Sequence, residues 1–274
     1  MIPAPFEYEV ARSVEEAVRL LGEREDAKLL AGGHSLIPAM RIRLARPGTL
    51  IDLGRVEGLR YVREDGDQVA IGALTRHHDV ATSPVLERHC PILAHAAGQI
   101  GDPQVRHRGT IGGSVSHGDP ASDAPGVLLA LDAELVVAGP DGERRIPAAE
   151  FFTGVFETAL GPQDVLTEIR VPKLGGAGWA FEKFSRRAQD WATVGVAAVR
   201  ANGGAKVALI SMGGTPLRAR AVEEALASGA DPRAAAERAD EGADPPSDVA
   251  ASADYRRHLA RVLVRRALER TLGS

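Results

Sequence analysis

Apolar positions with helical spacing follow the first dozen residues. Ser13 and Glu16 stand three residues apart, as an N-cap and its capping-box partner do. The apolar residues with this spacing are Val14, Ala17, Val18 and Leu21. The pattern predicts a helix that buries one face.

A short apolar run and a glycine segment come next. Residues 28–30 predict a strand that enters Ala31-Gly32-Gly33-His34-Ser35. Residues 36–44 predict a second helix, and residues 49–53 a second strand. We therefore expect residues 1–55 to form a small α/β domain.

Residues 56–173 predict a second domain with two β-hairpins. The hairpins turn at Asp65-Gly66 and at residues 140–142, and both segments are turn sequences between strand-like runs. Residues 77–100 predict helices broken at Pro84 and Pro91. A second glycine segment, residues 109–114, precedes an apolar helix predicted over residues 124–131.

A glycine-rich connector, residues 174–178, marks the best boundary of a third domain over residues 177–274. Beyond it, strand-like runs cover residues 179–184, 194–199 and 207–212, and the last two turn at residues 202–204. Helical patterns follow over residues 219–227 and 255–272.

Composition excludes several classes of protein. The 274 residues are 44% hydrophobic and carry a net charge of −4, as an ordinary globular protein does, so we expect no sequence-independent binding of nucleic acid. The single cysteine, Cys90, excludes an internal disulfide and any iron–sulfur cluster or thiolate zinc site held by this chain alone. Cys90 precedes a proline in an apolar stretch and is expected in the core.

Location and metal content follow from what the sequence lacks. No run approaches the ~20 apolar residues of a membrane span, and the N-terminal residues do not resemble a signal peptide. The expected location is the cytoplasm. The histidines show no recognisable ligand spacing, so no metal site is expected.

The two glycine segments are the strongest chemical signal. Adjacent glycines allow the backbone to approach a ligand and to point successive N–H groups at it, as phosphate-binding nests do. Ser35 and Thr110 add hydroxyl donors to the two segments. Each segment taken alone also fits an ordinary tight turn. The dinucleotide motif GxGxxG and the Walker loop are absent.

Two further positions leave alternatives open. Asp123, directly before a predicted helix, suits either an N-cap or an acceptor for a ligand hydroxyl or ring N–H. Arg186, Arg187 and Trp191 suit an anion and an aromatic ring. For these three residues, spacing alone favours a surface ion pair made by an arginine and a tryptophan in the core.

Several segments together resemble one family along nearly the whole chain. They are Lys28–Leu36, Asp102–Ser114, Phe151–Gly154, Glu168–Pro172, Phe181–Arg187 and Asp190–Val194. The chain resembles the FAD-binding medium subunit of molybdenum hydroxylases, the xanthine dehydrogenase family. Within it, these motifs are most similar to the medium subunit of aerobic carbon monoxide dehydrogenase and its relatives.

The resemblance implies a fold and a cofactor site. The fold is α+β: a two-subdomain FAD-binding fold of the vanillyl-alcohol-oxidase/PCMH type, followed by a three-stranded antiparallel sheet with a helical bundle. FAD would be bound non-covalently. The implied FAD-binding residues are Ala31, Gly32, Gly33, His34, Ser35, Leu36, Ile100, Thr110, Ile111, Gly112, Gly113, Ser114, Asp123, Leu166, Lys183 and Trp191. A shift of one residue would replace Lys183 by Glu182.

Two details depart from a simple match. The second segment often ends in Gly-Gly-Asn in this family, whereas this chain has Ser114, which lacks the amide donors. Weaker FAD retention by the isolated chain is therefore expected. The Gly32-Gly33-His34 run also resembles the segment that holds FAD covalently in berberine-bridge-type oxidases, so attachment through His34 is the alternative.

The implied function is electron transfer. A molybdenum cofactor would lie in a large partner chain and two [2Fe–2S] clusters in a small one. The resemblance also implies assembly as a dimer of heterotrimers. This chain's FAD would pass electrons to quinone, NAD or oxygen, with no catalytic residue required of the chain. A self-contained flavoprotein oxidase and a flavin-free scaffold are the alternatives. The substrate and the acceptor stay open.

Overall fold

The N-terminal region is a parallel sheet with two helices. The computed structural model describes residues 2–202 and 204–273. The elements are β1 (Glu7–Val10), α1 (Val14–Glu23), β2 (Ala27–Leu30), α2 (Leu36–Arg41) and β3 (Thr49–Asp52), in sheet order β1-β3-β2. Ser13 Oγ accepts from the Glu16 N–H at 3.1 Å, which confirms the predicted cap of α1. Strand β1 was not predicted, and α2 ends three residues earlier than expected.

The central region is built on a five-stranded antiparallel sheet in the order β4-β5-β10-β6-β7. Its strands are β4 (Val62–Asp65), β5 (Gln68–Gly72), β6 (Glu134–Gly139), β7 (Gly142–Pro147) and β10 (Val165–Pro172). A small hairpin of β8 (Phe152–Gly154) and β9 (Glu157–Thr158) stands apart. Both predicted hairpins are present, but the central strand β10 was not predicted.

The helices of this region cover one face of that sheet. They are α3 (His77–Ala81), α4 (Pro84–His89), α5 (Pro91–Gly98), α6 (Pro103–Arg106), α7 (Ile111–His117), α8 (Asp123–Ala130) and α9 (Ala148–Phe151). Every residue of α8 is buried, which explains why its sequence is apolar on all sides. Cys90 is fully buried in the same core, as expected, and burial raises the pKa of its thiol to about 12.

The C-terminal region has a four-stranded antiparallel sheet. Strands β11 (Trp179–Phe184), β12 (Val194–Ala201), β13 (Gly204–Ile210) and β14 (Leu217–Arg218) pair in sequence order. Helices α10 (Arg220–Ala227), α11 (Pro232–Ala236) and α12 (Ala253–Gly273) pack on it. The sheet has four strands instead of the three predicted. Strand β14 was not predicted because two residues are too few to show an alternation of apolar and polar positions. Gly203, in the predicted turn, lies outside the described residues.

The structure has the predicted α+β class and the predicted C-terminal antiparallel sheet with helices. The predicted division at residues 55/56 and 173/177 falls between the sheets and remains a prediction. One hydrophobic core includes α5, α8, β5 and β10 and continues into Phe181, Ala208 and Ile210 of the C-terminal sheet. No helix in the described part of the chain is long and apolar enough to cross a membrane.

Candidate functional site

The first glycine segment is a loop with free donors between β2 and α2. Gly33 has φ +73°, a left-handed conformation that favours glycine. Within residues 2–202 and 204–273, no chain group accepts a hydrogen bond from the N–H groups of residues 32–35. Such groups need water or a ligand as acceptor. This loop therefore offers the run of donors that an anionic group requires.

The second glycine segment has a different structure from the one predicted. Thr110 caps α7, and Gly112, Gly113 and Ser114 lie in the first turns of that helix. The Ile111 N–H donates to Thr75 O and the Gly112 N–H to Ala73 O, both at 2.9 Å, and the Gly113 N–H donates to Thr110 Oγ1 at 3.2 Å. The prediction of a second open nest is therefore wrong, because these donors already have partners.

The glycines of the two segments instead permit close packing. A Cβ on Gly112 would lie 2.6 Å from Ala73 O, and a Cβ on Gly32 would lie 2.8 Å from Gly109 Cα. A Cβ on Gly113 would be 3.8 Å from that of Ala31. The two predicted segments are therefore in contact, and only glycine fits where their backbones meet.

A buried ion pair lies beside the second segment. The Asp123 and Lys183 side chains are 5% and 4% exposed, and Lys183 Nζ donates to Asp123 Oδ2 at 2.6 Å. Burial raises the pKa of Asp123 to about 6, against the opposing effect of Lys183. Asp123 is not the N-cap of α8, because Ser122 occupies that position. The helix-cap alternative is therefore wrong.

One oxygen of this pair has no partner. Asp123 Oδ1 is buried and accepts no hydrogen bond among the described residues. A buried acceptor without a donor is costly, so it indicates a donor that the chain itself does not supply. Lys183 holds the other oxygen and thereby fixes which side of the carboxylate faces that donor.

The structure settles which residue accompanies Asp123. Lys183 Nζ also approaches Gln99 O at 3.3 Å, next to the buried Ile100, whereas Glu182 pairs with Arg270 at 2.5 Å. Lys183 rather than Glu182 therefore belongs to the candidate site.

Leu166 reaches the same region through the backbone of β10. Its neighbour Thr167 accepts from the Ala73 N–H at 2.9 Å, and Ala73 O is the acceptor for Gly112. Leu166 itself is 5% exposed. It is therefore part of the apolar layer beneath α7.

Trp191 is on the surface and not in the core. Its side chain is 55% exposed, and Arg187 pairs with Asp190 at 3.2 Å. The core tryptophan favoured from spacing is thus wrong, while the surface ion pair is present. Trp191 lines a cleft of about 560 Å³ together with Pro120 and Ala121, two residues before Asp123. Neither Asp123 nor Lys183 is among the residues that line the cleft.

The hydroxyl and imidazole groups of the two segments have local partners. Ser114 Oγ and Ser122 Oγ are 2.7 Å apart, which links α7 to the start of α8. His34 is exposed, and its Nδ1 lies 3.0 Å from Gly32 O. His34 is therefore accessible at the loop that carries the free donors.

Sequence reasoning missed His77, which lies beneath the second segment. It is 4% exposed, its Nδ1 has no hydrogen-bond partner, and a Cβ on Gly109 would lie 3.0 Å from its ring. Desolvation by burial lowers its pKa to about 4. The adjacent His78 stacks instead on His107. Two adjacent histidines in the sequence do not indicate which of the two imidazole rings is buried.

His77 predicts a pH dependence of stability. Because the pKa of His77 is about 4 in the folded chain and the ordinary pKa of histidine is 6.5, the unfolded chain binds more protons between those pH values. The contribution of neutral His77 is complete above pH 6.5 and is lost as the pH falls toward 4. We expect wild type to lose about 3 kcal/mol more than His77→Leu between pH 7 and pH 4. Urea unfolding at both pH values measures this.

Asp123 has the opposite effect on the pH dependence of stability, and this effect cancels when wild type is compared with His77→Leu. Its raised pKa gives stability that is lost as the pH rises through about 6, and both proteins carry it. Equal pH dependence in wild type and His77→Leu would contradict the assignment.

A second cleft, of about 850 Å³, contains none of the predicted site residues. It lies between α1 and the outer face of the five-stranded sheet. Its walls include Tyr61, Arg63, Glu168 and Arg170, which pair with one another. In the described part of the chain, no group of three His, Cys, Asp or Glu side chains is arranged to hold a metal ion.

Family comparisons match the chain in two consecutive parts. Residues 4–174 match the model of the FAD binding domain in molybdopterin dehydrogenase. Residues 179–271 match the CO dehydrogenase flavoprotein C-terminal domain. The chain belongs to the family of molybdopterin dehydrogenase FAD-binding subunits.

Relatives of this FAD-binding family cover the whole chain. The carbon monoxide dehydrogenase medium chain of Hydrogenophaga pseudoflava is 44% identical over 98% of this chain and 97% of its own. The 6-hydroxypseudooxynicotine dehydrogenase complex subunit alpha of Paenarthrobacter nicotinovorans is 42% identical over 99% and 96%. The family resemblance seen in the sequence is therefore confirmed.

Solved structures agree with this family assignment. Carbon monoxide dehydrogenase from Hydrogenophaga pseudoflava matches with a TM-score of 0.96 at 45% identity, over 100% of this chain and 99% of that one. Quinoline 2-oxidoreductase from Pseudomonas putida 86 matches with a TM-score of 0.93 at 30% identity over the same shares. This chain is thus an oxidoreductase subunit of the FAD-binding medium type.

Proposed function

We propose that this chain binds FAD non-covalently and transfers electrons from [2Fe–2S] clusters of a small partner chain to an external acceptor. The observation that carries the proposal is the buried and unpartnered Asp123 Oδ1. The free N–H groups of residues 32–35 add to it, because that loop packs against the second glycine segment at Gly109. Bound FAD supplies the redox chemistry. The chain supplies donors to the diphosphate and an acceptor to a hydroxyl or ring N–H.

The residues present offer two kinds of contact that FAD requires. The loop of residues 32–35 suits the anionic diphosphate. The cleft beside Trp191 is within the size range of small-molecule sites and offers an aromatic side chain to the ring system. Ile100 and Leu166 supply apolar contact, and the other site residues predicted from the sequence are proposed contacts too.

The partner chains are part of the proposal. The lone buried Cys90 leaves this chain without cluster ligands, so the clusters must lie in another chain. We propose a small iron–sulfur chain and a large molybdenum chain, assembled as a dimer of heterotrimers. The cytoplasmic location remains a prediction.

The substrate belongs to the large chain in this proposal. Relatives of similar identity are named for carbon monoxide and for 6-hydroxypseudooxynicotine, although both match this chain over nearly its whole length. A common medium chain across different substrates is expected if substrate contacts lie elsewhere. Quinone, NAD and oxygen all remain candidate acceptors.

Acid precipitation of the natively purified complex tests the proposal. We expect flavin absorbance in the acid supernatant, with a large and a small chain co-purifying. Flavin in the pellet would instead indicate attachment through His34 and a self-contained oxidase. Absence of flavin that persists after FAD is added, with both partners present, would indicate a flavin-free scaffold.

Ser114→Asn gives a second prediction, which concerns how tightly the chain retains FAD. The Ser114 hydroxyl is already engaged with Ser122, so an amide adds donors that the serine does not offer. We expect the variant to bind FAD about tenfold more tightly, the value of roughly one hydrogen bond. Fluorescence titration of the flavin-stripped chain measures the Kd, and an unchanged Kd would refute this expectation.

A further inference from the structure

The carbonyl oxygens that follow α5 are held by two cationic side chains. Arg106 Nη1 donates to Ile100 O at 3.0 Å and to Gly101 O at 3.1 Å. Lys183 Nζ donates to Gln99 O at 3.3 Å. Carbonyl groups at the end of a helix need donors from outside it, and lysine and arginine side chains often supply them. In the part of the chain that the structure describes, no backbone N–H donates to these three oxygens, so the two cations are their donors.

Arg106 joins the end of α5 to the second glycine segment. It is the last residue of α6, the four-residue helix that precedes this segment. Asp102 Oδ1 caps α6 by accepting from the Val105 N–H at 2.9 Å, and the Gly109 N–H donates to Val105 O at 2.7 Å. One turn of chain therefore carries both the start of the second segment and the side chain that holds the end of α5.

The Lys183 ammonium has two acceptors. Its Nζ is 2.6 Å from Asp123 Oδ2 and 3.3 Å from Gln99 O. An ammonium group has three donors and is attracted to both oxygens of a carboxylate, so a second acceptor restricts where it lies. In this arrangement the buried Asp123 Oδ1 is left without a partner. The position of Gln99 O thus contributes to keeping Oδ1 open for a ligand.

We propose that Arg106 is a positioning residue of the flavin site. It holds the carbonyl groups of residues 100–101 and thereby fixes the preceding carbonyl, Gln99 O. That oxygen keeps Lys183 on Oδ2 of Asp123, so that Oδ1 remains free to accept from FAD. Without Arg106, the ammonium can move to bridge both carboxylate oxygens and close the site. The inference rests on the proposed function, because it concerns how the chain binds FAD.

FAD titration of the flavin-stripped, full-length chain tests this role, with flavin fluorescence as the readout. Arg106→Met keeps an apolar stem but loses the donors, and we expect its Kd for FAD to rise about tenfold, the value of roughly one hydrogen bond. Arg106→Lys is the conservative variant. Arg106 makes both contacts through one nitrogen, and an ammonium can do the same, so we expect the Kd of R106K to stay within about threefold of wild type.

Arg200→Met is the matched control for a loss of structure. Arg200 also donates to two carbonyl oxygens near a helix end, Thr271 O at 3.1 Å and Leu272 O at 2.5 Å, but that helix is α12. We expect R200M and R106M to lower the melting temperature by similar amounts, whereas R106M alone weakens FAD binding. Equal weakening by both variants would mean that Arg106 acts through general stability, and it would overturn the proposal.

A double-mutant cycle with Asp123→Asn tests the connection from Arg106 to the carboxylate. Asparagine keeps one acceptor oxygen but removes the charge that draws Lys183 toward a second oxygen. In the D123N background we therefore expect R106M to raise the Kd by less than about twofold, since residues that act through one network are not additive. The same factor in both backgrounds would refute the connection. If D123N binds no FAD, the comparison of R106M with R106K and R200M decides alone.

Other outcomes would also overturn the proposal. Unchanged FAD affinity in R106M would show that Arg106 is not needed, and an R106K variant as weak as R106M would indicate direct contact of the guanidinium with FAD. R106Q, whose side chain is shorter than that of arginine, replaces R106M if the methionine variant does not fold. A wild-type chain that takes up no FAD would instead refute the proposed function, whatever the variants show.

Discussion

Asp123→Leu is expected to destabilise the chain by about 3–5 kcal/mol and to abolish flavin retention. The substitution leaves the Lys183 ammonium buried at 4% exposure without its carboxylate, and uncompensated buried charges carry costs of this size. It also removes Oδ1, the unpartnered acceptor of the site. Urea unfolding measures the first effect, and flavin absorbance of the purified complex measures the second.

The double variant D123L/K183M separates these two effects. With both charges removed, the pocket is apolar and most of the lost stability should return, because replacing a buried ion pair by packed apolar groups is often neutral. Flavin retention should not return, since no acceptor is restored. Recovery of both would show that the ion pair acts only through stability.

Gly32→Ala is expected to have the second largest effect. The added methyl would lie 2.8 Å from Gly109 Cα and still closer to Arg108 O, and backbone atoms cannot move aside as a side chain can. Overpacking typically costs about 1–3 kcal/mol. We expect the loop of residues 31–35 to be displaced from the second segment, so that flavin is retained weakly even where the chain still folds.

Gly98→Ala is the matched control. The nearest atom to its added methyl would be Ala81 Cβ at 4.0 Å, and the residue lies in α5, where alanine favours the helix. Its melting temperature and flavin content should equal those of wild type or exceed them. Full flavin content in Gly32→Ala would contradict the role given to the contact between the two segments.

The elements predicted from the sequence were those whose pattern is local. Ser13 capped α1 as expected, and the prolines at positions 84 and 91 began new helices where the breaks were predicted. Strand β10 was missed because its charged residues, among them Glu168 and Arg170, obscure the alternation. On the outer face of the five-stranded sheet, Arg170 Nη1 lies 2.6 Å from Glu168 Oε1. The other partners of these two side chains are distant in sequence, and only the formation of the sheet brings them near.

The candidate site was predictable in its residue types but not in its hydrogen bonding. Motif matching selected Asp123 and Lys183 without indicating that they form a buried pair 60 positions apart. It also assigned one role to both glycine segments, although the N–H groups at Gly112 and Gly113 are used inside the fold. Which donors are free depends on Ala73 and Thr75, which are distant in sequence and carry no motif.

The packing of α8 bears on how this protein can be divided or recombined. Gly126 leaves room for Ile210, since a Cβ there would lie 2.8 Å from its Cδ1, and Ile210 belongs to the same core as the central sheet. The last hundred residues thus complete the interior of the part before them. Heat should melt both in one cooperative transition, and a chimera with a relative's C-terminal half will fold well only if it preserves this glycine–isoleucine fit.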